Sequence, residues 1–301
     1  MNDLKQLIKT EALRLGFYTC GIARNDSLEE MRPFYTEFVG RNGHAGLEYL
    51  KTNMEKRLHP ELVLKGTRSV IALLMNYFPP EIIPEKDNFI MAKYAYGTDY
   101  HALMRSRMDD LIGVITQSCP QIQAKAFVDS GAVLEKAWAR KCGVGWQGKN
   151  SLLINKSAGS FFFIGIILTD LELEPDPAET DHCGICSRCV RACPTGALHT
   201  PYQLDISRCI SYLTIESKEE IPADLKSKLN DRIFGCDICQ DVCPYNRLAS
   251  PHQIPEFLPS KPLIDMRKKD WIAMDESGFD RIFSDSALKR TGFHRLRRGI
   301  L

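Results

Sequence analysis

The sequence predicts an α/β (α+β) domain followed by a smaller, cysteine-rich domain. Apolar runs typical of strands alternate with helical patterns as far as about residue 172. The composition then becomes acidic and proline-rich at "LELEPDPAETDHC". Eight of the 11 cysteines lie between residues 183 and 243. A chain of 301 residues is long enough for two such domains.

The first elements are predicted from their apolar periodicity. Leucine and isoleucine at helical spacing over residues 4–15 predict an amphipathic helix that ends at Gly16, and "SLEE" at 27–30 predicts a second helix with a capping box. The apolar run "SVIALLMNYF" at 69–78 stops at two prolines and predicts a strand buried on both faces. "YHALMRSRMDDLIGVI" predicts a helix after it.

The same alternation continues to the boundary. "QAKAFVD" at 123–129 predicts a strand, and "GAVLEKAWARKCG" predicts the helix that follows it. "NSLLINKSAGSFFFIGIILTD" predicts two strands joined by a turn of glycine, serine and asparagine.

Charge and hydropathy limit the location and the partners of the chain. Charged residues make up 26% of it and the net charge is +1, so a nucleic-acid contact needs a local basic patch. No signal-peptide pattern is present, and "FFFIGIIL" is far shorter than the ~20 residues that cross a bilayer. We therefore expect a cytosolic protein without a membrane partner. Reducing cytosol favours metal ligands over disulfides for clustered thiols.

The cysteine run beginning at Cys183 has the spacing C-x2-C-x2-C-x3-C-P, which is typical of bacterial 4Fe-4S proteins. In two-cluster proteins of this type the fourth cysteine of the run binds the other cluster. A partner run therefore should exist, and Cys236, Cys239, Cys243 and Pro244 repeat the last three ligands and the proline.

The first position of the partner run is Ile233, which cannot bind iron, and Cys209 is the nearby cysteine that can replace it. We assign one cluster to Cys183, Cys186, Cys189 and Cys243. We assign the other to Cys193, Cys209, Cys236 and Cys239. Structural zinc is the alternative, since paired CxxC units also bind zinc. Cys20, Cys119 and Cys142 are expected to be ordinary free cysteines.

Two polar residues of the first domain have alternative interpretations. Asp129 follows a predicted strand, where α/β sheets place ligands, but a helix N-cap is equally compatible with that position. His101 fits a ligand contact or an ordinary helix residue.

Three N-terminal motifs accompany the cysteines: "YAYGTDYHALMR", "FVDSGAVLEKAWA" and "GVGWQGKNSLLI". Together with "LDISRCISYLTIE" and "SALKR" they resemble the epoxyqueuosine reductase family, which completes queuosine synthesis in tRNA. The similarity extends from "RLHPELVLKGTRSVI" to "SALKR". It implies a nitroreductase-like cobalamin-binding domain over 1–172, a double 4Fe-4S ferredoxin-like domain over 173–255, and a basic tail over 256–301 that contacts tRNA.

The resemblance also implies individual roles. Asp129 becomes the proton donor to the epoxide oxygen, for which we expect burial to raise its pKa above ~3.9. Cobalamin contacts are implied at Arg57, Tyr100, His101, Lys149, Asn150 and Ser211. From the residues alone, Arg57 fits a solvated helix end, and Lys149 and Asn150 fit a turn. Because Ser211 lies two residues after Cys209, a cobalamin contact there brings the Cys209 cluster close to cobalt.

The last sixteen residues contain five arginines or lysines and no acidic residue. We expect Lys289, Arg290 and Arg295 to contact tRNA phosphates, although a solvated basic face is the simpler interpretation. Two other functions fit the same cysteines: a cobalamin-dependent reductive dehalogenase and a non-catalytic electron carrier. Cobalamin added to a carrier leaves its visible spectrum unchanged. The reaction also requires an electron donor, which the sequence does not identify, and we expect a monomer.

Overall fold

The computed structural model describes residues 2–41 and 43–300. Its strands are β1 Thr19–Arg24, β2 Ser69–Asn76, β3 Ile90–Met91, β4 Ala124–Phe127, β5 Trp146–Gln147, β6 Leu153–Ile154, β7 Phe162–Thr169 and β8 Arg232–Phe234.

In the described part of the chain, the helices fall into two groups, five before β5 and nine after β7. The first group is α1 Asn2–Arg14, α2 Arg32–Gly40, α3 Met54–Leu58, α4 Tyr100–Ser118 and α5 Glu135–Lys141. The second is α6 Arg188–Ala192, α7 Ile210–Ile215, α8 Ala223–Lys226, α9 Ile238–Asp241, α10 Lys261–Asp265, α11 Lys268–Ala273, α12 Glu276–Ile282, α13 Leu288–Thr291 and α14 Phe293–Ile300.

The central sheet has the order β1-β2-β7-β4, and every neighbouring pair is antiparallel. The first domain is therefore α+β rather than a parallel α/β layer. The strand predicted at 69–78 is confirmed as β2, in which every residue from Ser69 to Met75 is buried. Alternate residues of β2 face two cores, because side chains of a strand point to opposite sides in turn. The first core contains Ile71 and Leu73 of β2, and helices α1 and α4 contribute to it. The second core contains Val70 and Leu74, and α5 contributes to it.

Strand β1 was missing from the sequence prediction because its short segment "TCGIAR" has no long apolar run. Its glycine weakens the strand signal and yet has a packing reason. A Cβ at Gly21 would lie 2.0 Å from the carbonyl oxygen of Cys142, which follows α5. Gly21 lowers the strand propensity of this segment, and it allows β1 to lie close to the end of α5.

Two helix starts differ from the prediction. The capping box at 27–30 is wrong: a 3-10 turn covers Glu29–Met31, and α2 begins at Arg32 with Pro33 in its first turn and no side-chain cap. Helix α5 begins at Glu135 rather than at residue 131. Pro33 suits the first turn of α2, because a residue in that turn has no helical partner for an N–H and proline lacks one.

A third core joins residues from both sides of the predicted boundary. It combines Met91 and Tyr96 with Phe234, Trp271 and Leu296. Strand β3 pairs in parallel with β8, and α14 packs against β8. The segment after residue 255 thus forms helices α10–α14, which are packed into the molecule rather than extended from it.

Within the described ranges, no helix combines the length and the apolar character needed to cross a membrane.

Candidate active site

A cavity of about 320 Å³ lies where the start of α4, the loop after β4, helix α7 and the C-terminal helices meet. Its polar lining comes from all of these elements and includes Tyr100, His101, Asp129, Ser211, Glu216, Arg290, Thr291 and Arg295. Its apolar lining includes Leu47, Tyr94, Leu204, Ile206, Ile215 and Phe234. The cavity therefore joins the sheet domain to the cysteine-rich region, and Cys209 is part of its wall.

His101 is oriented by the N-terminus of α4. Asp99 is the N-cap, and its Oδ1 accepts a hydrogen bond from the backbone N–H of His101 at 3.0 Å. The same oxygen lies 2.6 Å from His101 Nδ1. Because Nδ1 is held by Asp99, the other ring nitrogen, Nε2, faces Arg290 and Asp129, 3.2 Å from Arg290 Nη1 and 3.5 Å from Asp129 Oδ2.

Asp129 lies in the loop between β4 and α5 with a φ of 57°, a conformation that aspartate tolerates better than most residues. Its backbone N–H donates to Glu135 Oε1 at 2.6 Å, and its Oδ2 accepts from the Tyr100 hydroxyl at 3.1 Å. The helix-cap interpretation is wrong, since Leu134 occupies the N-cap position of α5. Asp129 is free of helix capping and faces the cavity.

The electrostatics of the pair differ from the sequence expectation. The ion-pair contact with His101 lowers the pKa of Asp129, against an opposing effect of burial, and Tyr100 and Arg290 act in the same direction as His101. Burial disfavours charged His101, but its contacts with Asp129 and Asp99 outweigh this and raise its pKa to about 9. The expected raised pKa of Asp129 is thus wrong for this structure, in which 58% of the side chain is exposed. At neutral pH the proton resides on His101.

Glu135 is the second acidic group beside this loop. Burial raises the pKa of Glu135 to about 8, and the neighbouring Asp129 carboxylate adds to the rise. The two carboxyl groups therefore differ at neutral pH: Asp129 is ionised and Glu135 is largely protonated. Such opposed shifts in adjacent acids are typical of functional sites.

The structure brings the assigned cysteines together in two groups. Burial raises the pKa of the Cys243 thiol, and the neighbouring Cys183 and Cys186 add to the rise. Burial raises the pKa of Cys189 as well, and the neighbouring Cys183 and Cys243 add to the rise. These four side chains therefore share one neighbourhood, although they come from segments some 50 residues apart in the chain, at 183–189 and at 243.

The second group is built in the same way. Burial raises the pKa of Cys209, to which Cys193 adds, and the pKa of Cys236, to which Cys209 adds. Burial likewise raises the pKa of Cys239, which has Cys236 and Cys209 as charged neighbours. Ile233 is 1% exposed in the third core, which explains why another residue must take its place beside these thiols.

The eight assigned cysteines all lie within the described residues, and no three of them have sulfurs within 4.8 Å of one another. Tetrahedral zinc with bonds of about 2.3 Å places its sulfurs about 3.8 Å apart. Over residues 2–41 and 43–300, one group of three or more metal-capable side chains has ligand atoms within 4.8 Å of one another, namely Glu29, Glu55 and His59.

The other predicted cofactor residues occupy different places. Tyr100, His101 and Ser211 line the cavity. Arg57, Lys149 and Asn150 do not: Arg57 donates to the carbonyl oxygens of Tyr49 and Thr52, at 3.0 and 3.3 Å.

The motif "GVGWQGKN" anchors the cysteine loops. Trp146 Nε1 lies 3.5 Å from Cys183 Sγ. Lys149 Nζ donates to the carbonyl oxygens of Gly184 and of Cys186, the latter at 3.0 Å. Asn150 Nδ2 lies 3.4 Å from the carbonyl oxygen of Cys239.

The basic residues near the C-terminus are largely engaged within the molecule. Lys289 pairs with Asp280, and Arg295 donates to the carbonyl oxygen of Ile215 at 2.6 Å. Arg290 Nη1 lies 3.2 Å from His101 Nε2, and Nη2 lies 3.8 Å from a carboxylate oxygen of Glu216. Arg290 and Arg295 therefore belong to the cavity wall.

Sequence reasoning missed several residues of the site. The hydroxyl of Thr291 is buried and has no hydrogen-bond partner among the described residues, and it lines the cavity. Glu135 was predicted only as part of a helix. A signal existed in the six-residue separation of Asp129 and Glu135, but it requires the loop conformation to be known.

Two family models match this chain. One, described as "4Fe-4S double cluster binding domain", matches residues 182–246. The other, described as "Epoxyqueuosine reductase QueG, DUF1730", matches residues 57–130, which include β2, α4 and Asp129. The two matches thus cover the cysteine groups and most of the acid–base residues.

Curated relatives match along the whole chain. Epoxyqueuosine reductase of Cellulophaga algicola is 44% identical over 294 residues, covering 98% of this chain and 96% of the relative. Epoxyqueuosine reductase of Escherichia coli is 38% identical over 305 residues, covering 100% of this chain and 80% of the relative.

Solved structures of epoxyqueuosine reductases are also similar to this chain. A crystal structure of epoxyqueuosine reductase with a tRNA-Tyr epoxyqueuosine-modified tRNA stem loop has a TM-score of 0.91 at 29% identity, covering 99% of this chain and 80% of that one. A Bacillus subtilis epoxyqueuosine reductase structure, with its catalytic aspartate loop swung out of the active site, has a TM-score of 0.89 at 28% identity, with the same coverage. At this level of identity and coverage, the chain belongs to the epoxyqueuosine reductase family.

Proposed function

We propose that this chain reduces epoxyqueuosine to queuosine at the wobble position of the tRNA anticodon, in the cytoplasm. The observation that supports this best is the cavity itself, which brings the acid–base pair of His101 and Asp129 together with Cys209 in one lining. An epoxide reductase needs both, because the reaction consumes electrons and protons in one place.

The chemistry sets what the site must supply. Both carbon–oxygen bonds of the epoxide break, a carbon–carbon double bond forms, and the oxygen leaves as water. The balance requires two electrons and two protons. The protein therefore has to deliver electrons from one side of the cavity and protons from another.

The lining of the cavity is compatible with cobalamin. The apolar wall suits the face of a large macrocycle, and the unpartnered hydroxyl of Thr291 offers a polar contact to one. We propose that Tyr100, His101, Ser211 and Thr291 contact the cofactor, while contacts by Arg57, Lys149 and Asn150 remain predictions. When bound, cobalamin supplies a strongly reducing cobalt centre.

The electrons are proposed to arrive through two 4Fe-4S clusters. One is held by Cys183, Cys186, Cys189 and Cys243, and the other by Cys193, Cys209, Cys236 and Cys239. The match to a double-cluster family model over residues 182–246, which contain all eight cysteines, supports the presence of two clusters. Because Cys209 lines the cavity, its cluster is the last one before the substrate.

Protonation of the leaving oxygen is proposed to involve His101 and Asp129 in sequence. His101 stores the proton at Nε2 and passes it to Asp129 Oδ2, 3.5 Å away, as the bound substrate excludes water. Asp129 then donates it to the oxygen. Arg290 Nη1, 3.2 Å from Nε2, donates a hydrogen bond to the imidazole once it is neutral, which stabilises the product of this transfer.

The anticodon stem-loop is proposed to bind across the mouth of the cavity, near Lys289 and Arg290, whose side chains are 50% and 57% exposed. Arg295 has a structural bond to Ile215, so its removal changes both the fold and the charge. The probe is therefore the neutralisation of Lys289 and Arg290 alone, and it is read out by binding rather than by turnover, because Arg290 also contacts His101. We expect weaker binding and a salt dependence reduced by about 0.7 to 0.9 in slope per lost phosphate contact.

The function is tested with an epoxyqueuosine-containing stem-loop, the cluster-loaded protein, cobalamin and a chemical reductant under anaerobic conditions. Mass spectrometry should show the loss of one oxygen atom from the RNA, and no loss when cobalamin is omitted. An unchanged RNA, with both clusters and cobalamin present and reduced, would overturn the proposal.

A further inference from the structure

The loop between Cys183 and Cys186 presents a fully exposed apolar side chain. Ile185 has 103% of its reference accessible surface, more than any other large apolar residue in the described part of the chain. Neighbouring Gly184 has a φ of 50°, and its carbonyl oxygen accepts a hydrogen bond from Lys149 Nζ. This contact with the sheet domain holds the loop in place. Single exposed apolar residues are common on protein surfaces, so Ile185 alone does not mark an interface.

The second observation is the charge around the loop. Arg188 and Arg191 lie one turn apart on α6, directly after the loop, and both are exposed. Over residues 2–41 and 43–300, neither guanidinium has a carboxylate partner; Arg191 donates only to the hydroxyl of Ser187. Positive charge therefore borders the apolar tip of the loop.

The nearby acidic side chains are already engaged. Asp181 accepts from the Tyr202 hydroxyl and from the backbone N–H of Cys183 at 2.7 Å. Glu179 lies 3.0 Å from His182 Nε2. The unpaired charge beside the loop is thus positive.

The loop also lies at the outer end of the proposed electron path. Cys209 of the second cysteine group lines the cavity, and no member of the Cys183 group does so. Helix α6, which carries Cys189 of the first group, packs against α9, which carries Cys239 of the second. The Cys183 group is therefore adjacent to the inner group and remote from the substrate cavity.

We propose that Ile185, Arg188 and Arg191, which we term the Ile185 surface, dock a small acidic protein that carries single electrons. This rests on the proposed clusters. The carrier is oxidised by one electron and the cluster of the Cys183 group is reduced by one, so two docking events supply one epoxide reduction. An apolar centre with a charged border suits a small transient interface.

The proposal predicts a steered association. Complementary charge raises association rates by ~10 to 10³-fold and this gain falls with ionic strength. Arg188→Glu/Arg191→Glu should therefore slow docking by about tenfold or more at low salt. Ile185→Ser should weaken the complex while leaving its salt dependence unchanged.

The test uses the cluster-loaded protein and a reduced plant-type [2Fe-2S] ferredoxin as the acidic carrier. Stopped-flow absorbance gives the rate of cluster reduction, and a titration at equilibrium gives the affinity, so neither measurement needs epoxyqueuosine. The matched control is Lys65→Glu/Lys125→Glu, which makes the same charge change on other exposed positions. Reduction by dithionite shows whether the clusters themselves are intact.

We expect slower ferredoxin reduction and weaker binding in both surface variants, with dithionite reduction and the control variant within about twofold of the parent. Equal slowing with dithionite would place the defect in the cluster, and Ile185→Ser then decides by its binding titration. Ferredoxin rates and affinity unchanged from the parent at low salt would overturn the proposal, and would leave the reductase function untouched.

Discussion

Asp129 and His101 share one exchangeable proton at neutral pH. His101 is held by Asp99 on one ring nitrogen and faces Asp129 with the other, and its pKa of about 9 keeps it charged. The ionised Asp129 is thus a proton acceptor before it can be a donor. This arrangement separates storage of the proton from its delivery, which a single buried aspartic acid could not do.

The raised pKa of His101 gives a signed pH dependence. The protonated form is complete well below pH 9 and is lost as the pH rises through about 9, so the single-turnover rate should fall over that range. Asp99→Asn keeps a helix cap but removes a negative partner, so the fall should move to lower pH. Tyr100, Asp129 and Arg290 also face the imidazole and are unchanged in this variant. A fall that stays near pH 9 in Asp99→Asn would contradict the assignment to His101.

Glu135 positions Asp129 through the backbone. Its Oε1 accepts the N–H of Asp129 at 2.6 Å and so fixes a loop with positive φ. Glu135→Gln keeps an acceptor and should retain the rate. Glu135→Ala should lower it about tenfold, or about 1.4 kcal/mol, with stem-loop affinity unchanged. Equal losses in both variants would show that the carboxyl group of Glu135 itself, rather than the hydrogen bond that it accepts from Asp129, is what matters.

A motif fixes where a residue stands in the chain, and four of the residues chosen from motifs lie around one cavity, while their roles stay predictions. Tyr100, His101, Asp129 and Ser211 all line the cavity. Thr291 could not be found in this way, because its role depends on how the C-terminal helices fold back. The predicted rise in the pKa of Asp129 was wrong, because the shift is set mainly by His101, which is close in space but distant in the sequence.

At the scale of elements, short segments organise the cysteine loops. The motif at 143–150 contacts both cysteine groups, through Trp146 and Lys149 on one side and Asn150 on the other. Asn246, three residues after Cys243, accepts from the backbone N–H of Ser160 at 2.6 Å. The loops are therefore held by the sheet domain in a fixed position relative to the cavity.

The role of Cys209 is tested by metal content. Anaerobically reconstituted parent protein should contain about eight irons and as many acid-labile sulfides, from two cubanes. Cys209→Ala should reduce this to about four, because one ligand set loses a member. Cys119→Ala, outside both groups, is the matched control and should keep the parent value. Full iron content in Cys209→Ala would remove Cys209 from the ligand set.

The elements that could be predicted are those with long periodic patterns. Helix α4 and strands β2, β4 and β7 match their predicted segments. Strand β1 was missed because a close approach to Cys142 requires a glycine within it. The start of α5 was misplaced because the four residues before Glu135 adopt a loop that positions Asp129.

At the scale of the whole molecule, the active cavity depends on contacts between distant segments. The backbone N–H of Asp99 donates to the carbonyl oxygen of Asp285 at 2.7 Å, and β3 pairs with β8. These contacts bring α13, with Arg290 and Thr291, against the start of α4. A two-residue strand such as β3 leaves no periodic signal, so this part of the architecture could not be predicted from the sequence.

In the proposed reaction, electrons from the cysteine-rich region and a proton from Asp129 meet in this cavity. The most direct test is single-turnover reduction of an epoxyqueuosine stem-loop by Asp129→Asn, with cluster reduction followed in the same sample. Iron content, cobalamin binding and stem-loop affinity are first matched to the parent.

An amide cannot donate the proton, so we expect normal cluster reduction and queuosine formation slowed by ~10² to 10⁴-fold. Queuosine formation within about threefold of the parent, well short of a general-acid loss, would contradict the account.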